Sequence, residues 1–146
     1  MTKMERDPQT IVLTGLVESI WDTLGEGWRA IWRQVGEDFY ESMQEGGRDL
    51  STPEACLNSV KEYFIKYGTL SDLTYELEDG EAIVKVEGCA FMPTVNYMDA
   101  HKIPEEYSCP YFNSCMVALE HATGNMYSWT RDKDEAGNCH AHIKRI

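Results

Sequence analysis

The chain has 146 residues and a formal net charge of −12, with 25 acidic against 13 basic residues. This length suits a single domain with one core, and a hydrophobic fraction of 42% excludes a disordered tail. So acidic a surface repels phosphate backbones and anionic membranes, and we expect neither nucleic acid nor membrane as a partner. A basic protein is the macromolecular partner that this charge favours.

No stretch approaches the ~20 apolar residues of a membrane span. Residues 1–9 lack the basic start and apolar run of a signal peptide. The sequence therefore predicts a protein of the cytoplasm, a compartment in which thiols are kept reduced. Its five cysteines are an odd number, which also argues against a complete disulfide framework.

Residues 11–43 predict a helical region, because apolar residues recur there at spacings of three, four or seven. Gly25 and Gly27 predict a break in it. Trp21, Trp28 and Trp32 widen the apolar stripe beyond what one small core needs. We assign residues 1–48 to an N-terminal helical region, with homodimerisation and ordinary core packing as alternative explanations of the stripe.

A second helix begins after residue 52. Ser51 and Thr52 are candidate N-caps, and Glu54 completes a capping box with Ser51. The pattern assigns Cys56 to the core as a buried thiol. The apolar face of this helix is predicted to comprise Leu57, Val60, Phe64 and Tyr67.

The pattern then changes to alternation. Residues 73–77 and 82–86 predict two strands joined by an Asp79-Gly80 turn. A mixed segment follows at residues 90–108, predicted as a short helix or a lid loop. A third helix (110–123), a strand (126–131), a turn (134–138) and a closing strand (139–145) complete the chain. We predict one α+β domain, residues 1–146, with N-terminal helices packed on an antiparallel sheet of two hairpins and an intervening helix.

Four cysteines lie where these elements begin or end. Thiolates at such boundaries can converge on one soft metal ion, and zinc is the first candidate with an iron–sulfur cluster second. Cys109 precedes a helix, whose dipole favours the thiolate, so it is predicted to be the most reactive thiol. Separate buried thiols are the alternative. The predicted metal ligands are Cys89, Cys109, Cys115 and Cys139.

Histidines and glutamates near the cysteines are weaker candidates. On a strand, His140 and His142 point to the face opposite Cys139, so they are interpreted as a solvated pair. Glutamates close to the cysteines in sequence are further candidates for completing a coordination shell or acting as a base, although surface carboxylates are common in so acidic a chain. They are Glu87, Glu105 and Glu106.

Three short motifs carry a resemblance to a known superfamily: VEGC at 86–89, CPYFNSC at 109–115 and EAGNCHAHI at 135–143. They resemble the 4-vinyl-reductase (hydrocarbon-binding) domains and the TRAPP-type trafficking subunits. The L-2-amino-thiazoline-4-carboxylic acid hydrolase-like proteins look similar too, since Cys89, Cys109 or Cys115, and Cys139 match their cysteine order. Over residues 52–146, the resemblance implies an α+β ligand- and metal-binding core, commonly dimeric, with a pocket for a small apolar molecule.

The resemblance also implies a zinc site. In phenol-sensing members, cysteines and a glutamate hold zinc near the pocket, and Cys115 and Cys139 match two of those cysteines. The glutamate-x-x-cysteine expected on the preceding strand is absent, because residues 128–131 are Ser-Trp-Thr-Arg. Cys89 and Cys109 are the candidates to replace the missing ligands.

Three functions are compatible with these patterns. The first is a domain that binds a small apolar or aromatic molecule beside a cysteine-rich zinc site. The second is a cysteine- or zinc-dependent hydrolase of the thiazoline or amide type, with Cys109 as a candidate nucleophile. The third is an accessory protein with an iron–sulfur centre. The predicted ligand-binding residues are Phe91, Tyr97, Phe112, Met116 and Trp129.

Overall fold

The computed structural model describes residues 7–103 and 108–146. Within these ranges the chain forms five α-helices, one short 3-10 helix and four strands. The helices are α1 (Pro8–Leu24), α2 (Trp28–Glu45), α3 (Pro53–Lys66), α4 (Met92–Ala100) and α5 (Pro110–Thr123), with the 3-10 helix at Gly25–Gly27. The strands are β1 (Asp72–Glu78), β2 (Glu81–Glu87), β3 (Tyr127–Lys133) and β4 (Cys139–Arg145).

The four strands form one antiparallel sheet in the order β1-β2-β4-β3. Asp79 and Gly80 both have positive φ, as the predicted hairpin turn between β1 and β2 requires. The two central strands pair with Val84 opposite Ala141, and both side chains are buried. The predicted α+β class, with helices packed on two antiparallel hairpins, is confirmed.

Helix α5 lies at the centre of the packing. Nine consecutive residues, from Tyr111 to Leu119, are buried. They are covered on every side because α5 contacts α2, α3, β3 and β4. Its bounds agree with the prediction, since Pro110 fits the first turn and Gly124 ends the helix with a left-handed φ of 74°.

Two hydrophobic clusters share the interior. The larger one lies between the sheet, α3 and α5 and includes Leu57, Val84 and Phe112. The smaller one joins α1, α2 and α4; its buried members are Val17, Trp28, Met98 and Ile103. Trp28 is fully buried between Trp21 and Trp32, with ring centroids 5.0 and 6.0 Å away. The tryptophans of the N-terminal stripe therefore serve core packing, and homodimerisation through this region stays a prediction.

The structure decides between the predicted alternatives for the N-cap of α3 and for the mixed segment, and it corrects two further details of the sequence analysis. The N-cap of α3 is Thr52, whose hydroxyl accepts a hydrogen bond from the Ala55 amide at 3.1 Å. Ser51 is instead bonded to Asp49, so the Ser51–Glu54 capping box is wrong. Tyr67 is 63% exposed and does not belong to the buried face of α3. The mixed segment 90–108 contains the helix α4.

The break predicted near Gly25–Gly27 is confirmed, since the 3-10 helix separates α1 from α2 there. None of the helices in the two described ranges is both long and apolar enough to span a bilayer.

Replacing Gly36 with alanine is expected to destabilise the fold. A Cβ at this position of α2 would lie 2.8 Å from the carbonyl oxygen of Asn113 and 3.1 Å from a methyl of Val117, both on α5. The backbone of α5 would have to shift to relieve this contact, which is energetically costly. We therefore expect a loss of about 1–3 kcal/mol in the free energy of unfolding, measured by urea denaturation.

Gly15→Ala is the matched control, since Gly15 also lies inside a helix but a Cβ there meets nothing within 4 Å. It should stabilise the fold by about 0.5–1 kcal/mol, because alanine costs less backbone entropy in a helix. Equal effects at both positions would contradict the close approach of α2 and α5.

Candidate ligand cavity and thiol cluster

A cavity of about 200 Å³ lies between the two hydrophobic clusters. Helices α1 and α2 contribute Leu13, Val17, Trp32, Val35 and Phe39 to its wall. The segment around α4 contributes Phe91, Thr94, Val95 and Met98. The sheet side and the start of α5 contribute Val86, Cys89, Ser108, Cys109, Pro110, Tyr111, Arg131 and Cys139. Most of this surface is apolar, which is typical of small-molecule sites.

Three of the four predicted metal ligands line this cavity. Cys89 follows β2, Cys109 is the N-cap of α5, and Cys139 is the first residue of β4. Gly88 turns the chain out of β2 with a φ of 66°, and a Cβ there would lie 2.0 Å from the Ser71 hydroxyl oxygen. Only glycine fits this turn, which brings the Cys89 thiol to the cavity wall.

Hydrogen bonds fix two of these sulfurs. The Phe91 amide donates to Cys89 Sγ at 3.3 Å, and the Cys89 thiol donates to the Tyr111 hydroxyl at 3.5 Å. That hydroxyl in turn donates to the Thr69 carbonyl at 2.7 Å. On the other side, Arg131 Nη1 lies 3.5 Å from Cys139 Sγ. The thiols are therefore part of the wall's hydrogen-bonded framework.

Burial keeps the thiols of Cys89 and Cys109 protonated. It raises the pKa of Cys89, although the hydrogen bonds with Tyr111 and Phe91 partly offset the effect. Burial also raises the pKa of Cys109 well above its usual value, and the Phe112 amide at the helix N-terminus offsets only part of this. The prediction that Cys109 is an easily deprotonated thiol is therefore wrong.

Cys115 lies apart from the other three predicted ligands. It is fully buried and does not belong to the cavity wall. Burial raises its pKa, and the thiol that raises it further is Cys56 on α3. Cys56 is a core thiol, as predicted: it is fully buried, donates to the Ala118 carbonyl at 3.6 Å, and has a pKa raised by burial to about 11.

The four cysteines thus do not converge on one point. Among residues 7–103 and 108–146, no three cysteine, histidine, aspartate or glutamate side chains are grouped so that they could hold a metal ion. The candidates Glu105 and Glu106 lie outside the described residues, and Glu87 is exposed at the end of β2. As predicted, His140 and His142 lie on the face of β4 opposite Cys139; the histidines are partly exposed and Cys139 is buried.

Of the five predicted ligand-binding residues, Phe91 lies in the cavity wall. Tyr97 packs in the smaller cluster, and its hydroxyl donates to Glu18 at 2.7 Å. Phe112 packs against Trp129 with ring centroids 5.3 Å apart. Met116 and Trp129 line a separate depression beside α2. Tyr97, Phe112, Met116 and Trp129 are therefore not part of this cavity.

Sequence reasoning missed the contribution of α1 and α2 to the cavity. Leu13, Val17, Val35 and Phe39 belong to the apolar stripe of the helical region 11–43, but the spacing of a stripe does not show which element it faces. Arg131 was noted only as a departure from a family pattern. A lone arginine on a strand of alternating polarity was the available signal, and by itself it is weak.

The raised thiol pKa values predict slow alkylation by iodoacetamide at neutral pH. The reaction needs the thiolate, so the rates at Cys89 and Cys109, the partly exposed thiols, should rise about tenfold per pH unit until the raised pKa of each is reached. The buried thiols of Cys56 and Cys115 should react only after unfolding in urea. Peptide mass mapping gives the rate at each position, and fast labelling of Cys109 in native protein at neutral pH would contradict its raised pKa.

Comparison with known proteins places the whole fold in one family. The family model described as "Putative rubredoxin C-terminal domain" matches residues 9–146, a range that contains all of the cavity-lining residues named above. A protein named "Putative rubredoxin" from Methanothermobacter thermautotrophicus is 24% identical over 133 residues, which cover 91% of this chain and 70% of that protein. Because the family model spans nearly all of the sequence, the chain belongs to the rubredoxin C-terminal domain family.

Proposed function

We propose that this domain binds a small, largely apolar molecule in the cavity between its two hydrophobic clusters. The observation that carries the proposal is the size and lining of that cavity, about 200 Å³ with a mostly apolar wall. Well-packed interiors leave few voids larger than a water molecule. An apolar cavity of about 150 Å³ is large enough to bind benzene, so this one accommodates a substituted ring or a short chain.

The polar groups of the wall are few, as expected for a site that orients an apolar ligand. Thr94 and Arg131 are among them, and Trp32 adds an indole Nε1 that is buried with no hydrogen-bond partner among the described residues. A buried donor without a partner is costly. A ligand with an acceptor atom would offset that cost, which supports a ligand of mixed apolar and polar character.

The thiols support binding rather than nucleophilic catalysis. With their pKa values raised by burial, Cys89 and Cys109 are neutral at physiological pH and act as small polarisable apolar groups. No histidine is among the described residues that line the cavity, so a base for a cysteine nucleophile is missing from its described wall. The hydrolase hypothesis therefore gains no support from this geometry.

A metal centre is the second candidate, because three thiols line one cavity and the family description names rubredoxin, an iron protein. The name favours iron over zinc. The described residues do not fit such a centre in their present positions, since no three donors are grouped to hold an ion. The ligands would be Cys89, Cys109 and Cys139. Cys115 would not join them, because it is fully buried in the core and is not among the residues of the cavity wall.

We also propose a relationship to a second superfamily, homodimerisation and a basic protein partner. Similarity to the 4-vinyl-reductase domains agrees with a cavity between sheet and helices. Homodimerisation is supported by apolar side chains exposed on α1, namely Ile11, Val12 and Leu16. A basic protein partner is supported by the net charge of −12 alone.

A larger side chain in the cavity wall should weaken the binding of a neutral aromatic probe. We expect 5-fluoroindole to bind the native chain, with line broadening and a shift in its fluorine NMR spectrum. Val35→Phe adds a ring to the wall on α2 and should weaken this binding at least tenfold, since the added side chain occupies the ligand's space.

Ile31→Phe is the control, because Ile31 lies one turn earlier on α2, is 41% exposed, and is not among the residues that line the cavity. It should leave the probe's affinity unchanged. Equal losses in both variants would point to a general effect on α2, and no binding by the native chain would count against the proposal.

Metal analysis of protein purified without oxygen separates the two candidates. For the metal candidate we expect one iron or zinc per chain, lost in Cys109→Ala and retained in the control Cys115→Ala. A metal-free protein that binds 5-fluoroindole would leave the apolar-ligand proposal alone, and metal retained in Cys109→Ala would exclude the thiol cluster as its site.

A further inference from the structure

We propose that the ligand of this cavity is an apolar organic acid whose carboxylate binds the guanidinium of Arg131. This inference rests on the proposed binding function and names its ligand class. Arg131 is the one charged residue among the described residues of the cavity wall. Its side chain is only 13% exposed, so its charge acts in a largely desolvated setting, where an ion pair is stronger than in water.

The position of Arg131 is fixed from two sides. It lies on β3, and its Nη1 approaches Cys139 Sγ on the neighbouring strand at 3.5 Å. Its Nη2 lies 3.2 Å from Oδ1 of Asp99 on α4. The guanidinium therefore stands where the sheet meets the helix that covers one side of the cavity. The N–H groups of a planar guanidinium held in this position match the geometry of the two oxygens of a carboxylate.

The ion pair between Arg131 and Asp99 shows that this guanidinium binds a carboxylate at the edge of the cavity. Asp99 belongs to the last turn of α4 (Met92–Ala100), where the helix dipole disfavours a negative charge. Its other carboxylate oxygen accepts a hydrogen bond from Lys133, also on β3. If a ligand carboxylate takes the place of Asp99 at Arg131, Asp99 keeps Lys133 as its partner. The exchange leaves no buried carboxylate without a cation.

The rest of the wall restricts the ligand to an acid with an apolar body. Val17, Val35, Phe39 and Phe91 surround the space beyond Arg131. One guanidinium suits a singly charged carboxylate better than a doubly charged phosphate, which draws on more donors. A charged head with a ring or short chain behind it fits both the arginine and the apolar wall.

Calorimetry with a matched pair of probes tests the inference. We expect 4-phenylbutanoate to bind the native chain about tenfold to a hundredfold more tightly than 4-phenylbutan-1-ol, which has the same body and no charge. Arg131→Gln should remove this preference, so that the variant binds the acid no more tightly than the alcohol. Arg48→Gln is the matched control: it removes another partly buried arginine, which pairs with Glu62 and is not among the described wall residues, so the preference should persist.

Asp99→Asn provides a second variant in case Arg131→Gln does not fold. It removes the competing carboxylate, so the native preference for the acid should increase. Equal affinity of the native chain for both probes, or no change in preference in a folded Arg131→Gln protein, would overturn the assignment of an acid while leaving the cavity's role intact. If neither probe nor 5-fluoroindole binds, the proposed function fails as well.

Discussion

The burial of α5 is the constraint on which the rest of the molecule depends. This helix contacts β3 and β4 of the sheet on one side and α2 and α3 on others, so these four elements are positioned against it. The close approach of α2 at Gly36 fixes how far α2 stands from the sheet. The same contact places Val35 and Phe39 at the cavity, and the ion pair between Arg33 and Glu120 joins the two helices near the other end of α5.

Burial also decides the chemistry of the thiols. A helix N-terminus stabilises a negative charge by about 0.3–1 kcal/mol, which is less than one pKa unit. Full burial can raise the pKa of an acidic group by about 3–5 units. Cys109 experiences both effects, and burial is the larger. A cysteine at the start of a helix becomes reactive where its surroundings stabilise the thiolate, and at Cys109 the effect of burial outweighs that of the helix N-terminus.

The local features of the fold could be predicted from the sequence, while the assembly of the site could not. Pro110 and Gly124 bound α5, and Asp79-Gly80 forms the first hairpin, because each acts through its own backbone. The separation of Cys115 from Cys109 could have been derived as well, since six residues in an α-helix correspond to about 240° of rotation beyond a full turn. That Leu13 and Val35 meet Cys89 across the cavity depends on long-range packing, which periodicity cannot show.

The family name and the cysteine pattern of this chain carry different information. Sites with four thiolates usually draw two ligands from one short loop, with two to four residues between them. The closest cysteines here, Cys109 and Cys115, have five residues between them and point to different parts of the core. The alignment with the relative named "Putative rubredoxin" leaves 30% of that protein unmatched, since it covers 70% of its length. The part of this chain that matches the family contains an apolar cavity in which burial raises the pKa of Cys89 and Cys109, and for that reason we propose ligand binding ahead of metal binding.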